Sequence, residues 1–154
     1  MKKNKEVNIR IKEISEIAFN LMPITVPIEQ LRIGENLNIA LGFRFEVEAK
    51  NEIFKFFTLI QYSINEIIDP VVSLESEIVF EIQNLQSILN FENKNHLQID
   101  NNFLATLAGV AIGTTRGVLA ANLKGNPMAK FPLPILNPSE VLKNLSAEQP
   151  MESK

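Results

Sequence analysis

The chain has 154 residues, enough for one domain that buries about 68–70% of its unfolded surface, and 45% hydrophobic with 21% charged residues exclude intrinsic disorder. A net charge of −3, with Lys and Arg clustered on no single element, excludes the basic footprint of a nucleic-acid binder. The absence of cysteine excludes a disulfide framework, thiol catalysis and cysteine metal sites. The basic start, MKKNKEVNIR, is not followed by an apolar core of about 7–15 residues, so no secretory signal is expected. The longest apolar stretch, Phe103 to Gly113, is about half of the ~20 residues a membrane span requires, and Arg116 follows it. The expectation is a soluble cytoplasmic protein with no membrane insertion.

In chain order, Val7 to Leu21 reads as a first strand, although Ile11, Ile14, Ile17 and Phe19 do not keep one period. A bulge or bend near Ser15 would switch its faces. Met22 to Gly34 is a long connection, apolar for a loop, kept extended by Pro23 and Pro27. Leu37 to Glu48 alternates cleanly, with Leu37, Ile39, Leu41, Phe43, Phe45 and Val47 on one face. Ala49 to Glu52 is a polar break of hairpin length. Ile53 to Ile64 follows, apolar on both faces, aromatic and β-branched, which suits a central strand covered on both sides. Leu74 to Leu85 alternates Leu74, Ile78, Phe80 and Ile82 with Glu75, Glu77, Glu81 and Gln83.

The polar stretch FENKNHLQID reads as loop. Asp100 to Lys124 is a long helix with Asp100 as N-cap, Gly125 at the left-handed position after its end, and Pro127 blocking continuation. A short last helix opens at Asn137, with Pro138 in its first turn and Glu140 at the capping-box position. Residues 1–6 and 146–154 read as flexible ends of a single domain. Strands first and helices after give an α+β class: four antiparallel strands with a long crossover after the first, one long C-terminal helix and a short final helix.

The catalytic inventory is thin. His96 is the single histidine and falls in the polar loop, so metal ligation lacks partners and no metal or other cofactor is expected. Gly109, Gly113 and Gly117 fall inside a helix and match no phosphate-binding loop. Serine and threonine have no base to activate them. Glu46/Glu48 and Glu75/Glu77 are the solvent-facing half of strand alternation. These residues describe no enzyme.

Two features point to assembly and binding. Each glycine costs a helix about 1 kcal/mol against alanine, so the stripe Gly109, Gly113, Gly117 marks a close backbone approach. Either it lets the helix lie close on its own sheet, or, with Ala105 and Ala121, it meets the same helix of another subunit. The crossover likewise either tucks Met22, Ile24, Val26, Leu31 and Ile33 into the core or forms one wall of a groove for extended apolar polypeptide. In the second case Val141, Leu142 and Leu145 of the last helix form the opposite wall, and methionine among branched aliphatics suits varied partners.

The order of elements resembles the SecB protein-export chaperones and their SecB-like relatives. The similarity is carried by Ile17-Ala18-Phe19-Asn20 before the crossover, by Phe80-Glu81-Ile82-Gln83, and by Thr115-Arg116-Gly117-Val118-Leu119. The segment Phe131-Pro132-Leu133-Pro134-Ile135-Leu136-Asn137-Pro138 completes it, and together these span Val7 to Leu145. The resemblance implies homodimers formed through the sheets, pairing into homotetramers with the long helices between them. It also implies apolar grooves that hold unfolded preproteins without ATP. In the export chaperones an acidic sheet surface and a C-terminal tail dock on the translocase motor; here Glu75 and Glu77 stand near that strand, and Ser146 to Lys154 lacks the cysteine and histidine of the metal-stabilised tail.

The reading that follows is a SecB-like holdase. Its groove residues are Leu21, Met22, Ile24, Val26 and Leu31, with Leu142 and Leu145 opposite; its oligomer interface is Gly109, Gly113, Gly117 and Arg116. Arg116 pairs with a carboxylate or caps carbonyls there. The alternative is a dedicated partner for one client, such as an antitoxin, without translocase docking. A third reading, a small-molecule site on Phe43, Phe45, Phe54 and Phe56, lacks converging polar groups to orient a ligand.

Overall fold

The computed structural model describes residues 7–93 and 96–148, with the backbone alone for 90–93, 96–98 and 144–148. Strands β1 (Ile9–Leu21), β2 (Leu37–Glu48), β3 (Ile53–Ile64) and β4 (Val72–Ile82) form an antiparallel sheet in the order β1-β4-β3-β2. A four-residue helix α1 (Leu85–Ile88) leads into β5 (Leu89–Asn93) and β6 (His96–Ile99), which pair with each other. The long helix α2 (Asn101–Leu123) and the shorter α3 (Pro138–Glu148) complete the chain. This is the expected α+β arrangement, and the differences from expectation are local.

β2 pairs with β3 along its whole length, from Leu37↔Ile64 to Glu48↔Ile53, so the clean alternation of β2 sets which β3 residues face inward. Glu52 closes the turn between them in the left-handed region (φ 58°), and its Oε1 accepts the Asn84 N–H at 3.0 Å. β1 changes register against β4 twice, between Ile11 and Glu13 and between Glu16 and Ala18, so Ser15 lies between two bulges. That is how a strand without a constant period keeps Ile9, Ile11, Ile14, Phe19 and Leu21 opposite the inward residues Ile82, Phe80, Ile78, Leu74 and Val72.

α2 lies across the inner sheet face, burying Leu107, Ala108, Ala111, Ile112, Thr115, Leu119 and Leu123. Its ends are as the sequence indicates: the Asp100 carboxylate accepts the Asn102 N–H at 3.0 Å, and Gly125 takes φ 81°. By length and composition α2 reaches what a membrane crossing requires, and 33% of that apolar window is buried within the fold. The Asn137 side chain accepts the Ser139 N–H at 3.0 Å and starts α3.

Four expectations are corrected. FENKNHLQID is not simply loop, because His96 opens strand β6. The fourth sheet strand ends at Ile82, and Leu85 instead begins α1 with its side chain buried. Ser146 to Glu148 continue α3; the other residues taken as flexible ends lie outside the described ones. β3 is central, but among the described residues no layer covers its outer face, where Leu59 is exposed and Phe57 is shielded by the Arg44 guanidinium 3.7 Å above its ring.

Candidate functional site

The inner face of a four-stranded sheet is wider than one helix. α2 seats on β3 and β4, and the free edge β1 is left with its aliphatic row open: Ile9, Ile11 and Ile14 are exposed, and so is Ile17 at the second bulge. A long aliphatic edge strand is a pairing and aggregation hazard unless something covers it. The bulges blunt this edge only in part, since aliphatic side chains stand on both sides of each.

The row resumes at the crossover. Leu21 and Met22 are exposed, and the Met22 N–H donates to Val71 O at 2.9 Å, which anchors the start of the connection beside the start of β4. From there Leu21, Met22, Pro23, Ile24, Val26 and Ile28 line a hollow of about 350 Å³, closed on the other side by Asn126 and Pro127. Pro23 and Pro27 hold this stretch extended, and Ile24 and Val26 are partly buried against the core beneath. The lining is aliphatic with one amide side chain. No histidine–carboxylate cluster able to hold a metal occurs among the described residues, and the walls offer hydrocarbon contact and backbone groups rather than acid–base chemistry.

The expected groove residues therefore divide. Leu21, Met22, Ile24 and Val26 come together at the hollow. Leu31 does not; it is 1% exposed, a core residue packed with Leu37, Tyr62 and Met128, and unavailable to a ligand. Leu142 packs at the other end of the sheet, against the cluster of Phe54, Phe56 and Phe80, so α3 is not the facing wall within one chain. The backbone of Leu145 lies on α3, and its side chain is outside the described residues. The sequence marks Pro23 only as keeping the connection extended and Pro127 only as a helix stop, and does not single out Ile28 or Asn126; only the fold brings the Asn-Pro turn to the crossover.

The glycine stripe does not face the sheet. At 3.6 residues per turn, Gly113 and Gly117 fall opposite Thr115, Leu119 and Ala108, and nothing lies within 4 Å of where a Cβ would stand at either. Gly109 is different: a Cβ there would meet Pro138 Cγ at 3.3 Å, so this glycine admits the first turn of α3. Arg116 bonds within its own chain, donating from Nε to Leu133 O at 2.9 Å and from Nη2 to Pro134 O at 2.7 Å. It thereby fixes the extended segment from which Ile135, 96% exposed, projects.

The aromatic face expected as an alternative small-molecule site is filled by packing at Phe43, Phe54 and Phe56, while Phe45 is 42% exposed. Phe43 meets Phe56 edge-on at 5.2 Å, and Phe103 of α2 meets Phe54 at 6.4 Å. The outer sheet face sets Glu13, Glu46, Glu48, Glu75, Glu77 and Glu81 and the cations Arg10, Arg44 and Lys55 around the apolar Ile53, Phe57, Leu59 and Val79. Arg44 bridges Glu46 and Glu75, each at 3.2 Å.

No protein-family model and no curated protein matches the chain. Among solved structures, a SecB-like chaperone of Mycobacterium tuberculosis, in complex with a ChAD peptide from the HigA1 antitoxin, is similar in fold. The TM-score is 0.47 at 12% identity, over 83% of this chain and 90% of that chain. A likeness at that level carries nothing about function, which has to be argued from the residues of this chain.

Proposed function

We propose that this chain is a SecB-like holdase: an ATP-independent, cytoplasmic protein that assembles through β1 and α2 and holds extended apolar polypeptide at the crossover hollow. The observation that carries the reading is the exposed aliphatic row Ile9, Ile11 and Ile14, which is interrupted by Glu16 and resumes at Leu21 and Met22 in the hollow. Exposed apolar surface of this kind on a globular chain marks interaction sites.

β1 is fitted to pair with a second copy of itself. An antiparallel register centred on Ile14, with the bulges at Lys12 and Ile17 kept, sets Ile14 against the partner's Ile14 and Ile9 against the partner's Phe19. The same register joins two sheets into one, while the open Gly113 and Gly117 crest of α2 is left to meet a further pair of subunits, giving a dimer or tetramer. Apolar burial at ~25 cal/mol per Å² would supply client affinity with little sequence preference. Preprotein export through a translocase motor would use the acidic outer sheet face, two of whose carboxylates Arg44 already engages.

The size of the hollow favours the narrower form of the reading. At about 350 Å³ it takes a few side chains rather than a long stretch of chain, which suits a short apolar motif in one dedicated client, such as an antitoxin. Aggregation of several chemically unfolded proteins, followed by light scattering with and without this protein, separates the two. Suppression across unrelated clients supports general holdase activity; suppression of one alone supports the dedicated partner; suppression of none by the folded oligomer contradicts both.

A further inference from the structure

We propose that the core is built as two blocks that open separately, and that the block beneath the first half of α2 is the one that opens. The inner sheet face is apolar along β3 and β4 except at one row. Phe43, Thr58, Ser76 and Glu16 stand side by side across β2, β3, β4 and β1. Above them Thr115 of α2 continues the band, its Oγ1 2.7 Å from Ser76 Oγ and donating to Ala111 O at 2.7 Å. Thr58, Ser76 and Thr115 are all buried, and Thr58 Oγ1 has no hydrogen-bond partner among the described residues.

Thr58, Ser76 and Thr115 lie between two apolar clusters, which Phe43 at the end of the row joins by packing against both. Tyr62, Leu74, Leu119 and Leu123 belong to one; Phe54, Phe56, Phe80 and Leu107 belong to the other. Separating packed hydrocarbon returns its area to water, whereas separating hydroxyls lets them bond to water again, and an unpaired buried hydroxyl favours separation outright. The band is therefore the line along which the core parts most readily.

The two halves of α2 are held unequally. The second half buries Ile112, Leu119 and Leu123 and is tied outward: Asn122 Nδ2 donates to Glu16 Oε1 at 3.0 Å, and Arg116 holds the carbonyls of Leu133 and Pro134. The first half buries Leu107, Ala108 and Ala111, with Phe103 and Leu104 partly buried against the same cluster and Pro138 of α3 against Gly109, and its Thr106 Oγ1 turns back to its own Asn102 O at 3.0 Å. Its opening would bare Phe80 and Ile78 beside the Ile11 and Ile14 with which they pair, extending the exposed aliphatic row of β1 inward.

Native-state hydrogen exchange on the full chain tests it. Amides of residues 105–111 are expected to exchange at least about tenfold faster than those of 115–123, with a weaker denaturant dependence. Leu119→Val is expected to speed 115–123 severalfold and leave 105–111 unchanged. Thr58→Val, which removes the unpaired hydroxyl, is expected to slow 105–111 by about tenfold. A single rate regime and a single denaturant dependence across α2 overturns the two-block core. So does an L119V variant that speeds both halves equally, or a T58V variant that leaves 105–111 unchanged.

Discussion

Tyr62 is the one tyrosine of the chain, and it is fully buried, its hydroxyl donating to Phe131 O at 2.7 Å. Burial pushes its pKa from 10.0 up to about 12. A raised native-state value means that the folded protein keeps the proton after the unfolded chain has lost it. This contribution is whole below pH 10 and is lost as pH rises toward 12. Urea unfolding between pH 8 and pH 12 is expected to show that fall, and Tyr62→Phe to remove it. At neutral pH the same variant costs about 1–2 kcal/mol, because Phe131 O is left without its donor. Arg116 acts similarly on Leu133 O and Pro134 O: Arg116→Ala is expected to lower stability by about 1–3 kcal/mol in thermal unfolding. Faster proteolysis within the 131–137 segment should accompany it. Neither bond is readable in the sequence, since nothing local links Tyr62 to Phe131 or Arg116 to Leu133.

At the scale of elements, the sequence was most informative where one signal acted alone. Leu37–Glu48 and Ile53–Ile64 match their strands residue for residue because each face keeps one period and a polar break separates them. The caps of α2 and α3 are set by single side chains, Asp100 and Asn137, so they too were legible. The β5–β6 hairpin was not, because LNFEN and HLQI are too short and too polar to show alternation against the loop around them. The groove walls failed for another reason: crossover and α3 are both apolar, but which ends of the sheet they occupy is a fact of packing. Helix substitutions separate the roles of the glycines. Gly117→Ala, on an open position, is expected to stabilise the isolated subunit by about 1 kcal/mol in urea unfolding. If subunits meet there, the same change weakens association in size-exclusion mass measurements. Gly109→Ala gains less, because its new Cβ crowds Pro138 at 3.3 Å.

The whole molecule joins an exposed aliphatic edge, an open small-residue crest and a shallow hydrocarbon hollow on one scaffold. Ile14→Glu places a charge at the centre of the β1 edge, where 48% of the residue is exposed, so the subunit is expected to fold with unchanged circular dichroism. Two such charges would face each other across a paired edge, and the oligomer mass is expected to fall, to the monomer from a β1-paired dimer or to an α2-linked pair from a tetramer. A folded variant with unaltered mass would show that β1 is not the contact.

Client holding is tested most directly at Met22, 47% exposed and on the wall of the hollow. The measurement is light scattering of an unfolded client as it aggregates, alone, with the wild-type chain and with Met22→Glu, at matched and verified oligomer mass. The account predicts suppression at near-stoichiometric wild-type protein and a severalfold loss of suppression in the variant. Suppression that survives Met22→Glu intact would contradict the crossover hollow as the holding site, and no suppression of any client by folded wild-type oligomer would contradict the holdase reading itself.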